Sequence, residues 1–585
     1  MRVFSIPHAP TRHIPAAESC LFSPFCSEAF VRARERRVPV FLLIGDDAQA
    51  FSEPALQLLL AERTVPVHLR PGEREDVELL CQRAGALFSG EGALPLCALM
   101  TADALPFLAA PLPPTGFALD PARLHVWLAQ ADRRFLQNEP ACAAQASQVI
   151  HSFRSLSPEK PYSPQDAAHD LKRALLAIQD KKNGGFGDIK SPFVCALRFA
   201  QHAGAHGDKA MGSAFSQSMD AMLTSALYDP LDSGFFRAAL TDDWRVFVSE
   251  KPLGVNAILS LCLMADGQRS EAVRTLDFLS DQFTLDGGGL SPSVFAPRET
   301  DAFSSAQVCT VLGSENGLRA CRLLSLLRQH TQPEPTVIPS RFSPVSSDSD
   351  HRKRLDDETP SLYPLLPALL TPEDSAFLRR VTPMLLRART ARSPQRPRPY
   401  VITAHCALAA AVLAACGKRL SQPRYTQAAQ RAVSFLISQS GVSGSPLPAS
   451  AYPASPLYAQ ATCGASAALA LAQLTLGTQD GMEEYAQSGL RLLSAALHAF
   501  VRKDGLVMHT TKNPAEPFPR VPAIYDSELP SPAALLIEAL RIAGKLHTQA
   551  HYADAISAIW QAAAPAVKAQ PLSCASLIDA AAYGE

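Results

Sequence analysis

The sequence contains 13 cysteines but no Cys-x-x-Cys pair. The cysteines are scattered, and most of them, such as Cys195, Cys262 and Cys406, lie in apolar helical surroundings, where cysteine behaves as a small buried hydrophobe. This pattern excludes paired zinc ligands and a disulfide framework, and it is typical of a reducing compartment. We therefore expect no metal site and no cofactor.

A charge excess of one sign and long apolar runs are also missing. The 54 Lys and Arg residues nearly balance 55 Asp and Glu residues, so no basic field favours nucleic acid. The most apolar stretch, 401–416, is too short to cross a bilayer, and the first eight residues have no apolar signal core. We expect a soluble, cytoplasmic bacterial protein with no nucleic-acid or membrane partner, and the oligomeric state stays open.

Residues 1–137 alternate between strand and helix patterns. The apolar run at 38–45 predicts a strand, and the polar turn after it opens a helix with Ser52 as its N-cap. Pro95 lies just before another apolar run and is a candidate cis-proline. The predicted order of helix, strand, helix, strand, helix, strand, strand and helix indicates a central sheet with helices on both faces.

The turn between the first strand and its helix would hold the active site of a dithiol redox protein. There a Cys-x-x-Cys pair lies at the helix N-terminus, which lowers the pKa of the thiol and makes it a nucleophile. Here Gln49 and Ser52 occupy the two positions, and neither side chain forms a thiolate. We therefore predict a degenerate redox site in a domain used for packing or for partner contact.

The composition shifts to Ala, Ser and Pro at 138–162, which we interpret as a linker to a second domain at 163–585. Helical periodicity dominates that domain. Helices are predicted near 163–182, 193–203, 211–227, 253–264, 270–283, 304–330, 372–389, 403–415, 425–438, 461–475, 482–501, 532–544, 552–564 and 573–582. The segment 331–360, rich in Pro, Ser and charge, predicts a long surface connection.

A glycine-containing turn recurs after the long helices. It reads Gly-Gly-Phe-Gly at 184–187, Ser-Gly-Phe at 233–235, Gly-Gly-Leu at 288–290 and Asp-Gly-Leu at 504–506. The first three turns are roughly 50 residues apart, a spacing that fits one antiparallel helix pair per repeat. About a dozen helices in such hairpins predict a closed α/α barrel of six hairpins, with an open helical solenoid as the alternative.

Several motifs follow one another in order along the chain. They are Pro-Val-Phe-Leu-Leu-Ile-Gly at 39–45, Arg-Glu-Asp-Val-Glu at 74–78, Gly-Ala-Leu-Pro-Leu at 92–96, Gly-Gly-Phe-Gly at 184–187, Tyr-Asp-Pro-Leu-Asp-Ser-Gly-Phe-Phe-Arg at 228–237, Glu-Lys-Pro-Leu at 250–253, and Tyr-Asp at 525–526. This series resembles the spermatogenesis-associated protein 20 family over almost the whole chain. The resemblance implies a thioredoxin-like domain followed by a six-hairpin α/α barrel related to sugar epimerases and glycosidases.

The sequence departs from that family at polar positions. Gln49 and Ser52 replace both cysteines of its Cys-His-Trp-Cys-His motif, while Pro230, Phe236 and Val248 replace three histidines of its barrel motif. The structural Gly, Pro and apolar positions are retained. The combination indicates a fold that has been kept while a redox chemistry was lost.

Carbohydrate chemistry in such a barrel requires paired acid and base groups in the central funnel, with aromatic rings that stack on the sugar. The candidate catalytic residues are Asp229, Glu250 and His405, and the candidate ligand-binding residues are Arg237, Trp244, Lys251 and Asp526. A structural interpretation competes with this one. In it Asp229 caps a turn, Arg237 and Glu250 form a buried pair, and Trp244 belongs to the core.

We therefore predict a redox-inactive protein whose barrel binds a small carbohydrate-like ligand or a protein partner. Two alternatives stay open. An active sugar epimerase or glycosidase-like enzyme requires Asp229, Glu250 and His405 to converge in one funnel. A non-catalytic scaffold requires a funnel filled by apolar side chains and no concave polar site.

Overall fold

The structure is a computed structural model that describes residues 21–45, 51, 53–113, 120–153, 161–187, 190–244, 247–295, 303–324, 371–392, 394–439, 447–452, 461–512, 518–547 and 550–584. The two degenerate redox positions, Gln49 and Ser52, lie outside these residues, as does the predicted surface connection at 331–360.

The N-terminal part of the chain forms a mixed five-stranded sheet with helices on both faces. Its elements are β1 (Ser23–Pro24), α1 (Ser27–Arg36), β2 (Val40–Ile44), α2 (Pro54–Arg63), β3 (Val65–Leu69), α3 (Glu75–Ser89), β4 (Leu96–Met100), β5 (Pro106–Pro111), α4 (Pro121–Gln137) and α5 (Glu139–His151). The sheet order is β1-β3-β2-β4-β5; β1, β3 and β2 are parallel to one another, and β4 runs antiparallel to both of its neighbours, β2 and β5. The predicted α/β architecture is confirmed.

The central strand β2 explains the apolar run that dominates the sequence of this domain. All five of its residues are buried, because helices cover both faces of the sheet. The Leu94–Pro95 peptide bond is cis, which confirms the prediction for Pro95. Two details differ from expectation. A short strand, β1, precedes α1, and the N-cap of α2 is Glu53, whose carboxylate accepts a hydrogen bond from the backbone N–H of Leu56.

The stretch expected to be a linker, 138–162, contains the helix α5. Its side chains Cys142, Ala146 and Val149 are buried, and the helix packs against β5 and α3. The Ala- and Ser-rich composition therefore reflects small residues packed closely on the sheet, and the N-terminal domain extends at least to His151.

The second domain is helical. Its helices are α6 (Pro164–Ile178), α7 (Val194–Ala205), α8 (Lys209–Leu223), α9 (Leu253–Ala265), α10 (Arg269–Gln282), α11 (Ser305–Leu312), α12 (Ser314–Leu323), α13 (Pro372–Arg392), α14 (Thr403–Leu420), α15 (Pro423–Gln439), α16 (Cys463–Gly477), α17 (Glu483–Phe500), α18 (Pro532–Leu546), α19 (Ala550–Ala569) and α20 (Ala575–Ala582). Short strands lie between them: β6 (Glu250–Pro252), β7 (Ser293–Phe295), β8 (Arg396–Pro397), β9 (Val401–Ile402) and β10 (Ala451–Tyr452).

Six of these helices form a closed inner ring. Helix α7 packs on α9, α9 on α14, α14 on α16, α16 on α18, α18 on α20, and α20 returns to α7. Almost every residue of α9, α14 and α16 is buried, as expected for helices surrounded on all sides. Helices α6, α8, α10, α15, α17 and α19 lie outside, and each packs on an inner helix. The α/α barrel is confirmed and the open solenoid is not.

The third hairpin carries an insertion between α10 and α14. The predicted single helix at 304–330 is two helices in the described residues, α11 and α12, because Gly313 with a φ of +79° breaks the chain direction between them. Together with α13 they form a small apolar cluster of their own. Within the described residues, no helix is long and apolar enough to cross a membrane.

The recurrent glycine turns connect an outer helix to the next inner helix. In the first of them, Gly184, Gly185 and Gly187 all have positive φ, and Phe186 is buried. Gly185 lies directly beneath Trp244, where a Cβ atom would be 2.6 Å from Cζ2 of the indole. The glycines of the Gly-Gly-Phe-Gly motif are therefore required by the backbone conformation of the turn and, at Gly185, by the indole ring of Trp244 packed upon it.

We predict that Gly185→Ala destabilises the barrel more than Gly187→Ala. Both positions have left-handed backbone, at φ of +80° and +70°, so both variants bear the cost of that conformation, on the order of 1–2 kcal/mol. Only the Gly185 variant meets Trp244, since no atom lies within 4 Å of a Cβ atom at Gly187. We expect an additional loss of about 1–3 kcal/mol in urea unfolding. Equal losses would contradict this account of the motif.

Candidate ligand site at the mouth of the barrel

All six inner helices begin at the same end of the barrel, which we call the mouth. The segments that precede neighbouring inner helices are joined there by short strand pairs: β6 pairs with β7, β9 with β10, and Thr462 bridges Thr510. The N-terminal ends of helices carry partial positive charge. The mouth is therefore the end of the barrel that favours carboxylates and the oxygen atoms of a ligand.

The N-terminal domain docks on the mouth. Phe518, on the barrel segment before α18, stacks on Phe25 at a centroid distance of 4.8 Å, and Val521 joins the core on one face of the sheet. Arg83 of α3 donates a hydrogen bond of 2.8 Å to Gln570. Because apolar side chains of the barrel complete the core of the other domain, the two domains hold one another in a fixed arrangement.

Arg237 is the centre of an ion cluster at the mouth. Its Nε donates to Oε2 of Glu250 at 2.9 Å, and its Nη1 contacts Oε1 of Glu528. Ser293 donates to the other oxygen of Glu250 at 2.6 Å. Although burial alone would raise the pKa of Glu250, the charge of Arg237 holds it below its usual value. The side chains of Arg237 and Glu528 are 29% and 30% exposed, so a ligand can reach them.

His405 lies beside this cluster on the first turn of α14. The charges of Glu528, Glu75 and Arg237 all act on its imidazole, but burial dominates and lowers its pKa, which keeps the ring neutral near pH 7. Its Nδ1 is buried and has no hydrogen-bond partner in the described part of the chain. On the other side of the ring lies Gly72 of the N-terminal domain, where a Cβ atom would be 2.9 Å from Nε2.

A second residue of the N-terminal domain, Glu75, enters the mouth at the start of α16. Its carboxylate lies against Gly464, where a Cβ atom would be 2.6 Å from Oε2, so only glycine allows this approach. The same oxygen is 3.5 Å from Nδ1 of His509. Nearby, burial raises the pKa of Glu78 well above its usual value, and its carboxyl accepts a hydrogen bond from the backbone N–H of Gly72.

Asp229 and Lys251 lie in a different cluster. Nζ of Lys251 donates to Oδ2 of Asp229 at 2.6 Å, and Arg389 of α13 is 2.9 Å from the same oxygen. All three side chains are at most 5% exposed. Although burial would raise the pKa of Asp229, the charges of Arg389 and Lys251 hold it well below its usual value. Since successive strand residues point to opposite faces, Lys251 faces away from Glu250 across β6.

Two further candidates lie in structural positions. Trp244 is buried and donates its indole N–H to the backbone carbonyl of Asn183 at 2.9 Å. Asp526 accepts hydrogen bonds from the backbone N–H groups of Ser531 and Ser576, which fixes the segments that lead into α18 and α20. Burial raises the pKa of Asp526 to about 6.

The described cysteines of the N-terminal domain have no activated thiol. Burial raises the pKa of each of them: Cys26, Cys81, Cys97 and Cys142. All described cysteines of the chain are free thiols. Gln49 and Ser52 lie outside the described residues, so the degenerate redox site stays a prediction from sequence.

The structure thus brings Glu250, Arg237 and His405 together at the mouth and places Asp229 and Lys251 in a separate, fully buried cluster. The enzyme alternative required Asp229, Glu250 and His405 to converge in one funnel. They do not converge, because Asp229 lies in the separate cluster. Sequence reasoning missed Glu528, His509 and Glu75 as site residues. Of these, only Glu75 had a signal, since it belongs to the motif at 74–78.

The fold and the site define a two-domain protein, in which an α/β domain with a mixed sheet covers the mouth of an α/α barrel. A family model described as Thioredox_DsbH, a protein of unknown function (DUF255), matches residues 15–154, so the N-terminal domain is thioredoxin-like. An uncharacterised protein of Caenorhabditis elegans, B0495.5, is 22% identical over 249 residues. That alignment covers 39% of this chain and 34% of the worm protein, so the chain matches about a third of the relative's length.

Solved structures of sugar-converting enzymes show a distant likeness. A D-mannose isomerase aligns over 68% of this chain and 85% of its own, with 11% identity and a TM-score of 0.43. Cellobiose 2-epimerase from Bacillus thermoamylovorans B4167 aligns over 68% of this chain and 87% of its own, with 8% identity and a TM-score of 0.39. The assignment of the barrel given above depends on the packing of this chain's own helices.

We predict that Asp229→Asn lowers the free energy of unfolding by about 3–5 kcal/mol at pH 7, because it removes the carboxylate charge that Lys251 and Arg389 both contact in a buried site. The folded-state pKa of Asp229 lies below its ordinary value of 3.8, so this contribution is present above pH 4 and is lost as the pH falls further. Urea titrations at several pH values measure the difference.

The matched control is Asp103→Asn, which breaks an exposed pair with Arg34 and should cost at most about 1 kcal/mol. The role of the carboxylate charge would be contradicted if the difference in free energy of unfolding between Asp229→Asn and the native protein stayed constant from pH 7 to pH 3.

Proposed function

We propose that the mouth of the barrel binds a small carbohydrate-like ligand and that the protein performs no dithiol redox chemistry. The observation that carries the proposal is the group formed by Arg237, Glu250, Glu528 and His405, where charged, solvent-reachable groups lie beside a buried imidazole nitrogen without a partner. Such a combination of donors and acceptors suits the hydroxyl groups of a sugar, each of which donates one hydrogen bond and accepts others.

The polar character of the mouth supports a ligand site over a scaffold. A scaffold would fill this position with apolar side chains, whereas here Arg237, Glu250 and Glu528 form a charged cluster at the mouth, apart from the apolar contacts that dock the N-terminal domain. The starts of the inner helices add partial positive charge, which suits hydroxyl oxygens, carboxylates or phosphates. Arg237 and Glu528 lie at the exposed edge, and His405 lies at the buried edge, so a bound ligand would span the two.

The sequence motifs also bear on the family and on the loss of redox chemistry. We infer from the ordered motifs that the chain is a divergent member of the spermatogenesis-associated protein 20 family that has lost the cysteine pair. The described thiols support a redox-inactive domain, because burial raises their pKa values and disfavours the thiolate that disulfide exchange requires.

One observation favours catalysis as a second candidate function. Burial lowers the pKa of His405 and keeps it neutral near pH 7, its Nδ1 has no hydrogen-bond partner among the described residues, and the charge of Glu528 acts on the ring; a general base needs these properties. A base in this position could remove a proton next to the carbonyl carbon of an open-chain sugar and return one from solvent. Exchange of that C–H for deuterium in D2O, followed by NMR and abolished in His405→Gln, would support an epimerase or isomerase.

We predict that neutral hexoses or disaccharides raise the melting temperature of the full chain. At a ligand concentration a hundredfold above Kd, binding adds about 2.7 kcal/mol to the free energy of unfolding. Titration calorimetry should show that Glu528→Gln and His405→Gln weaken binding by about tenfold or more, because each removes a polar contact to the ligand.

The matched control is His206→Gln. His206 is exposed and directly follows the C-terminal end of the inner helix α7, so it lies at the opposite end of the barrel from the mouth. The His206→Gln variant should therefore bind sugars with the affinity of the native protein. The proposed site would be contradicted if none of these sugars bound, or if His206→Gln weakened sugar binding as much as Glu528→Gln and His405→Gln.

We further predict that the purified protein reduces insulin disulfides no faster than buffer with dithiothreitol alone. No described thiol of the N-terminal domain lies at a helix start with a lowered pKa, and Gln49 and Ser52 supply none. A measurable rate that a cysteine substitution abolishes would refute the redox-inactive assignment.

A further inference from the structure

The segment of the N-terminal domain between β3 and the first turn of α3, residues 70–78, lies over the mouth of the barrel. Gly72 closes over the ring of His405, and Glu75 reaches the start of the inner helix α16. Both contacts depend on a missing side chain, at Gly72 in one case and at Gly464 in the other. The closeness of these approaches indicates that the segment is shaped to the site and not merely to the outer surface of the barrel.

Three side chains from three separate segments have unsatisfied polar atoms at this point. They are Oε2 of Glu75, both ring nitrogens of His509 and Nδ1 of His405, each without a hydrogen-bond partner among the described residues. His509 is only 3% exposed. Buried polar groups are almost always hydrogen-bonded, and here Glu75 and His509 only face each other at 3.5 Å, so this cluster has hydrogen-bonding capacity to offer a ligand.

The ion pairs around this cluster show which carboxylate is least satisfied by charged neighbours. Glu73 is paired with Arg70, and Asp76 with Arg74, each at 2.8 Å. Glu250 and Glu528 share Arg237. Among the described residues, the ionisable group that Glu75 contacts is the imidazole of His509, at 3.5 Å, and the side chain of Glu75 is 18% exposed. A partly buried carboxylate in this state gains from a hydrogen-bond donor supplied by a ligand.

We propose that the N-terminal domain completes the ligand site of the barrel, with Glu75 accepting hydrogen bonds from hydroxyl or ammonium groups of the ligand and His509 contacting the same part of it. The inference depends on the proposed function, because it adds residues to that site. It gives the thioredoxin-like domain a role in ligand recognition that needs no cysteine.

Two ligand chemistries could satisfy Glu75, and they can be told apart. A hydroxyl donates a neutral hydrogen bond, whereas the ammonium of an amino sugar adds a charge to it and forms a stronger contact. Pairs of probes that differ only at this group, D-glucose with D-glucosamine and D-mannose with D-mannosamine, therefore distinguish a polyol site from a site for an amino sugar.

The test is titration calorimetry of the full chain with these four probes. We expect Glu75→Gln to weaken binding by about tenfold or more, equally for both members of a pair if Glu75 binds a hydroxyl group and more for the amino sugar if it binds ammonium. The matched control is Glu62→Gln, an exposed change of the same kind in α2, which should leave the affinity unchanged. Melting temperatures establish that each variant is folded.

A second measurement needs no variant. Hydrogen exchange of the native protein should slow at residues 70–78 and at the start of α16 when the sugar is added. Binding within twofold of native in Glu75→Gln, together with weakened binding in Glu528→Gln, would overturn the role of the N-terminal domain while leaving the barrel site in place. No binding of any probe to the native protein would overturn both proposals.

Discussion

The closed ring of six inner helices is the constraint on which the rest of the structure depends. Helices such as α9, α14 and α16 are apolar on almost every side, so they are stable only when neighbours surround them. Closing the ring also brings all six helix starts to one end. The positive ends of the helices, the glycine turns and the short strand pairs therefore meet in one place, which is the origin of the mouth.

The strand β6 divides the polar groups at the mouth into two sets with different environments. Glu250 faces Arg237 and solvent-reachable groups, whereas Lys251 faces Asp229 and Arg389 in the buried interior. The first set is able to exchange partners with a ligand, because part of its surface meets water. The second set joins the insertion helix α13 to the barrel, and its charges are committed to one another.

The docked N-terminal domain changes the character of the mouth. An uncovered barrel would expose its mouth to bulk water, while here Gly72 and Glu75 lie over one side of it. The exclusion of water strengthens every remaining polar contact. Buried thiols and a covered mouth fit a domain that was retained for its shape and its docking surface, with Phe518 and Val521 anchoring it to the barrel.

The sequence by itself determined the α/β pattern of the first domain and the helical hairpins of the second, because periodicity and glycine turns are local signals, whereas closure of the barrel over an open solenoid was settled by the packing of the helices. The apolar run of β2 and nearly every barrel helix could be predicted within a few residues, and so could the cis bond at Pro95. The motif residues Glu250 and Arg237, together with His405, could be named as candidates, yet Glu528, His509 and Glu75 come from distant segments of the chain.

Only the tertiary structure decided which charges meet. Asp229 and Glu250 look alike in sequence, but β6 directs Glu250 to one face and Lys251, the partner of Asp229, to the other. The helix α5 within the expected linker was missed for a related reason, since its small side chains are informative only beside the sheet that buries them. Local patterns specify elements, whereas pairing across the chain depends on how ring closure and domain docking bring those elements together.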